Sequence, residues 1–184
     1  MFHIRTRTLS SLKSVATVAG VALAAGMALS GAASAAEPKS LGTFKDWSAF
    51  SFVERGQTVC YVSSQPKTSK PDGVRRGDIH VLITHRPADK ALDVVSVIFG
   101  YPLKKDSEPV AEVGGTSIKL FSDNETGWAR DAQTDARLVA AMVKGANMTV
   151  KGESQRGTQT TDSYSLSGLG AAYAAINKEC KVQR

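Results

Sequence analysis

Cysteine occurs twice in the 184 residues, at Cys60 and Cys180, and no other feature limits the fold of this chain so strongly. A bond between the two would tie the first strand region to the last helix. That last stretch, Thr158 to Cys180 (TQTTDSYSLSGLGAAYAAINKEC), reads as a polar strand, a turn, a short helix and a terminal cysteine. Compartment decides whether such a pair is oxidised, and the first 35 residues speak to compartment. Arg5, Arg7 and Lys13 form a positive start without an acidic residue, Val15 to Leu29 is apolar, and Ala33-Ser34-Ala35 supplies the small residues of a cleavage site. The pattern predicts an export signal over residues 1–35, cleaved after Ala35, and a single domain over residues 36–184. The apolar run is short for a bilayer-spanning helix, and no later stretch is long and apolar enough for one. In an exported chain a Cys60–Cys180 disulfide is expected, with two buried thiols as the alternative. At that separation the chain-entropy model assigns the crosslink roughly 4–5 kcal/mol.

The export signal also changes the charge balance. The whole chain carries 23 Lys and Arg against 17 Asp and Glu, but three cations lie in the signal, leaving a balance of +3. A charge so small, with acidic residues scattered throughout, does not support nucleic-acid binding, which requires a concentrated basic face. The remaining length suffices for one domain with a real core.

From Leu41 onward the sequence reads as strands and turns. Phe44, Trp47 and Phe50-Ser51-Phe52 make an aromatic-rich opening, Arg55-Gly56-Gln57 turns it, and Thr58 to Ser63 returns as a strand carrying Cys60. Gln65 to Gly77 is a polar connection bearing Lys67, Lys70, Arg75 and Arg76; it reads as a solvated loop, and these four cations are the candidate contact surface for an anionic partner. Asp78 to Thr84 and Leu92 to Phe99 are β-branched runs expected to pair as a central hairpin, stopped by Gly100-Tyr101-Pro102. A two-residue Gly114-Gly115 turn joins Val110–Val113 to Thr116–Phe121, and Asp123 to Gly127 is turn chemistry before Trp128, an expected core or core-edge anchor. Asp131 to Lys144 has a helical apolar stripe with Asp131 or Thr134 as cap and Gly145 at its end. Asn147–Lys151 and Thr158–Ser165 make a last hairpin, and a closing helix runs from Gly168 to Glu179 with Ser167 as the expected cap.

Motifs that carry chemistry are missing. The sequence has no GxSxG elbow, no phosphate-cradling glycine loop followed by Lys-Ser/Thr, and no HExxH. His80 and His85 are separated by an odd number of residues, so a strand points them to opposite faces and they make a poor metal pair. The hydroxyl-dense run Thr160 to Ser165 reads as a solvent-facing strand, with a polar site lining as the alternative. No catalytic, cofactor-binding or metal-ligating residue is nominated.

Several segments taken in order carry a resemblance: LGTFKDW (41–47), VCYV (59–62), RRGDIHVLITHRP (75–87), VSVIFGYP (95–102), TDARLVAAMVKG (134–145) and the GTQTTDSYSLSGLGAAYAAINKEC ending. Together they resemble the invasion-associated locus B family of exported Gram-negative bacterial proteins. The resemblance implies a β-rich domain in the periplasm or associated peripherally with the outer membrane, and a family named for host-cell invasion in pathogens. It carries no catalytic residue over. The expected architecture is mainly β, a sandwich or partly open barrel of about seven to nine strands with two short covering helices. The expected role is non-enzymatic, through surface interactions with an envelope or host-surface component. A small-ligand-binding β-sandwich with a cleft near the His85-Arg86-Pro87 and Gly100-Tyr101-Pro102 loops is the alternative, and an envelope hydrolase the third reading.

Overall fold

The structure is a computed structural model that describes residues 37–183, so the export signal expected over residues 1–35 lies outside the described residues. Three strands open it as an antiparallel meander: β1 (Lys39–Phe44), β2 (Trp47–Glu54) and β3 (Gln57–Ser64). The connection after β3 contains a three-residue strand, β4 (Thr68–Lys70), before the expected hairpin of β5 (His80–Arg86) and β6 (Ala91–Ile98). Four short strands follow, β7 (Val110–Val113), β8 (Thr116–Lys119), β9 (Phe121–Asp123) and β10 (Thr126–Trp128). Gly114 and Gly115, at φ 51° and 84°, make the tight β7–β8 turn, which needs positive φ at both positions. Helix α1 (Ala132–Lys144), β11 (Asn147–Glu153), β12 (Gln159–Ser165) and helix α2 (Leu169–Glu179) complete the chain.

The strands form two open antiparallel sheets, a seven-stranded one in the order β1-β2-β3-β5-β6-β10-β9 and a five-stranded one in the order β4-β12-β11-β7-β8. Among the described residues this is a β-sandwich-like arrangement with two α-helices and no closed barrel. Twelve strands stand where about seven to nine were expected, because β4, β9 and β10 have three residues each, too few to show an alternation in sequence. One core lies between the layers: Trp47, Val62, Ile83 and Val97 from the larger sheet meet Met148, Val150 and Tyr164 from the smaller one. Leu138 and Met142 of α1 and Leu169, Ala172 and Ile176 of α2 close it.

Helix α1 starts as its sequence dictates, with the Asp131 carboxylate accepting the Thr134 N–H at 2.7 Å. Its terminal Gly145 is not left-handed, at φ −82°; a Cβ there would stand 2.6 Å from a methyl of Val113, so close packing sets the residue. At α2 the expected cap is corrected: Gly168 occupies the cap position at φ 93° with no side-chain cap. A Cβ on Gly168 would fall 1.8 Å from the Phe44 carbonyl oxygen, so backbone contact with the β1–β2 turn, and not Ser167, decides how the helix begins.

Several side-chain ties hold α2 on the larger sheet. Ser51, Cys60 and His85 lie side by side across β2, β3 and β5 on the inner face. Ser51 donates to Glu179 at 3.2 Å, Cys60 is disulfide-bonded to Cys180, and His85 Nε2 lies 2.9 Å from Asn177 Oδ1. Tyr173 donates to Asp93 at 2.5 Å. The disulfide expected from the compartment argument is present and spans 120 residues of sequence.

Candidate interaction surface

Strand side chains alternate between faces, so a seven-stranded sheet whose inner face meets the core must present its other face outward. Cross-strand partners share a face, and the pairing Phe50–Tyr61–Thr84 runs across β2, β3 and β5 on the outer side. Phe50 and Tyr61 stack, ring centroids 5.1 Å apart at 22°, and Phe52 meets Tyr61 edge-on at 6.0 Å. Phe50, Phe52, Tyr61 and Leu82 are all half-buried and stand outside the core cluster. Two openings flank this ladder of rings. One, about 490 Å³, is lined among others by Lys45, Ser48, Phe50, Ser63, Gln65 and His80. The other, about 370 Å³, is bounded by Pro38, Phe52, Tyr61, Leu82, Thr84 and Arg86. Composition at β2 hinted at aromatic content, but which rings face outward follows from the pairing register.

The four cations singled out in sequence separate into different environments. Lys67 binds the Asp46 carboxylate, a hydrogen bond that holds Asp46 below the usual carboxylate range. Lys70 pairs with Asp72 at 2.5 Å, both side chains well exposed. Arg75 is exposed and makes no ion pair among the described residues. Arg76 is corrected: its side chain is only 6% exposed, and its guanidinium binds both oxygens of Asp162, whose side chain is 0% exposed, at 2.7 Å each. The same guanidinium donates from Nε to the Phe99 carbonyl at 3.0 Å and lies 4.9 Å over the Tyr101 ring. Arg76 therefore belongs to the interior, where a planar cation with several fixed donors is well suited to a carboxylate.

The hydroxyl-dense strand is also corrected. On β12 Thr160, Asp162 and Tyr164 point inward and are buried, while Thr161, Ser163 and Ser165 are only half-buried. Thr160 lies 2.5 Å from the Tyr101 hydroxyl. The Tyr164 hydroxyl has no hydrogen-bond partner among the described residues, and burial pushes its pKa up. An Asp flanked two residues away on each side by Thr and Tyr was the available sign of an inward polar row.

His80 and His85 do face opposite ways. His80 lines the larger opening and lies 3.2 Å from Ser63 Oγ, whereas His85 is fully buried, its Nδ1 accepting the Asp93 N–H at 3.1 Å. The His85-Arg86-Pro87 and Gly100-Tyr101-Pro102 loops, near which the alternative reading put a ligand cleft, do not meet. β5 and β6 are antiparallel, with His80 opposite Ile98 and Arg86 opposite Ala91, so those loops stand at opposite ends of the hairpin. No group of three or more His, Cys, Asp or Glu among the described residues has the arrangement of a metal site. No helix among them is long and apolar enough to cross a membrane.

This arrangement of sheets and helices has a counterpart among solved structures, the crystal structure of invasion associated protein b from Bartonella henselae. The two share a TM-score of 0.54 at 17% identity, over 76% of this chain and 96% of that one, a likeness of fold. No curated protein matches in sequence. The family model described as Invasion associated locus B (IalB) protein matches residues 47–177, from the buried tryptophan of β2 to the asparagine that α2 sets on His85. By that match over most of its length, the chain belongs to the invasion associated locus B family.

Proposed function

We propose that this chain is an exported cell-envelope protein that works by contact with an envelope or host-surface component and not by catalysis. The observation that carries the reading is the outer face of the seven-stranded sheet, where Phe50, Phe52 and Tyr61 form a ladder of rings partly in solvent beside an open cleft. Aromatic side chains supply large contact area at low conformational cost, and a contiguous group of them reaching solvent is a feature of interaction surfaces. The imidazole, carboxylate and phenol that lie together, His85, Asp93 and Tyr173, are committed to holding α2 and line neither opening on that face. Invasion, which names the family and the Bartonella neighbour, comes to this chain as contact of this kind.

Photo-crosslinking in the producing cells tests the reading. A photoreactive residue at Phe52 should give a discrete adduct that is absent when it is placed at Ser117 on the exposed edge strand β8. Equal adducts from both positions, or turnover of an envelope substrate lost in a folded His85→Ala variant, would overturn it.

A further inference from the structure

The outer face of the larger sheet offers a ligand side chains alone. β2, β3 and β5 are each paired on both sides, so their backbone N–H and C=O groups are spent and a peptide cannot add as a further strand. What remains is a strip of rings with polar groups beside it. Phe50 and Phe52 are two residues apart on one strand, roughly 6.6–6.8 Å along it, and Tyr61 from the next strand sits against both. The strip joins the two openings, so the surface fits an extended ligand that is flat and weakly apolar on one side.

The larger opening sets the polar requirement. Ser48, Ser63, Gln65 and His80 surround Phe50 there, a set able both to donate and to accept hydrogen bonds. His80 is positioned by Ser63 at 3.2 Å and by Gln65 at 3.5 Å. Sugars match this combination: a pyranose has a face of C–H groups that lies on an aromatic ring, and hydroxyls at its rim that both donate and accept. Charge narrows the class. Asp46 is already occupied by Lys67, whose hydrogen bond keeps the carboxyl ionised, so that pair adds no net charge to the cleft. Lys45, exposed in the β1–β2 turn, lines the same opening and forms no ion pair among the described residues.

We infer that this face binds an acidic oligosaccharide, with the solvent side of the mutually stacked Phe50–Tyr61 pair as its apolar contact, Ser48, Ser63, Gln65 and His80 at the sugar hydroxyls, and Lys45 at a carboxylate. The inference rests on the contact reading above and names its partner class.

Titration of the isotopically labelled exported protein, followed by backbone amide NMR, decides it. The probes are trigalacturonate, the neutral trisaccharide cellotriose, sodium acetate at matched carboxylate concentration, and an acidic Glu-Val hexapeptide. Trigalacturonate should shift the amides of Ser48, Phe50, Ser63 and Gln65 saturably, and cellotriose should bind at least several-fold more weakly. Phe50→Ala should lower the affinity about tenfold or more, and Phe50→Tyr, which keeps the ring, should restore it. Lys45→Gln should weaken binding at low salt and lose its effect at high salt, as expected of an exposed charge. Three results overturn the proposal: equal shifts with acetate, which would mark a simple anion site; tighter binding of the hexapeptide; or no saturable shift with trigalacturonate. If crosslinking at Phe52 persists while trigalacturonate fails, the contact reading stands and its partner is not a saccharide of this class.

Discussion

Replacing Arg76 with alanine should destabilise the fold far more than replacing any other cation of the 65–77 segment. The substitution leaves the Asp162 carboxylate, 0% exposed, without its bidentate partner, and removes the donor to the Phe99 carbonyl and the cation above Tyr101. Removing one member of a buried ion pair costs about 3–5 kcal/mol, mostly because the remaining charge is stranded away from water. With a urea m-value of about 2 kcal/mol/M for a domain of this size, the midpoint should fall by about 2 M. Equilibrium unfolding in urea with the disulfide intact, followed by tryptophan fluorescence, reads this directly, since Trp47 is fully buried. Lys70→Ala, whose ion pair lies in solvent, serves as the control and should leave the midpoint unchanged. Combining Arg76→Met with Asp162→Leu should recover most of the loss, because an apolar pair of similar volume strands no charge. An unfolding free energy for Arg76→Ala within about 0.5 kcal/mol of the unmodified protein, or strictly additive single effects at the two positions, would refute the argument.

Three further outcomes follow from the interior. Tyr164→Phe removes a buried hydroxyl that has no partner among the described residues, so the unfolding free energy should stay level or rise, by up to about 1–2 kcal/mol; a clear loss would show that the hydroxyl is hydrogen-bonded. Cys60→Ala with Cys180→Ala removes a crosslink over 120 residues and should cost roughly 4–5 kcal/mol on the chain-entropy account, with reduced unmodified protein unfolding at the same urea concentration as the double variant. Asp135 accepts the Val95 N–H at 2.8 Å, but burial, with Asp93 and Asp131 nearby, raises its carboxyl from 3.8 to about 6. A raised acid pKa opposes folding at high pH, and that cost disappears as pH falls through about 6 towards 3.8. Asp135→Asn should therefore add about 1–2 kcal/mol at pH 8 and little at pH 4.5, measured as the difference between unfolding midpoints at the two pH values.

Local chemistry was legible wherever one segment decides its own conformation. The Gly114-Gly115 turn, the Asp131 cap and the paired β-branched runs, read over 78–84 and 92–99 and found at 80–86 and 91–98, are all short-range devices. What could not be read is whatever depends on a partner distant in sequence. Arg76 and Asp162 are 86 residues apart, and nothing local distinguishes Arg76 from its exposed neighbour Arg75. Gly168 looks like an ordinary residue before a helix until the Phe44 carbonyl is placed against it. β4 is a strand only because β12 lies alongside, with Asp162 opposite Ser69.

The same dependence explains why composition alone does not tell which face a residue takes. β12 is rich in hydroxyls, yet Thr160, Asp162 and Tyr164 are buried; β2 is rich in rings, yet Phe50 and Phe52 stay partly in water. Pairing register decides the face, and a shift of one residue would exchange the two sets. On β2, β3 and β5 that register has a mechanical consequence. Phe50 and Phe52 flank Ser51, Tyr61 follows Cys60, and Thr84 precedes His85, so each outward residue is a chain neighbour of a residue tied to α2. The strands carrying the rings are thus anchored from behind by a disulfide and two side-chain hydrogen bonds. A platform held in this way has little backbone freedom left to lose when a partner settles on it, and weak stacking and polar contacts then add to affinity with a small ordering cost.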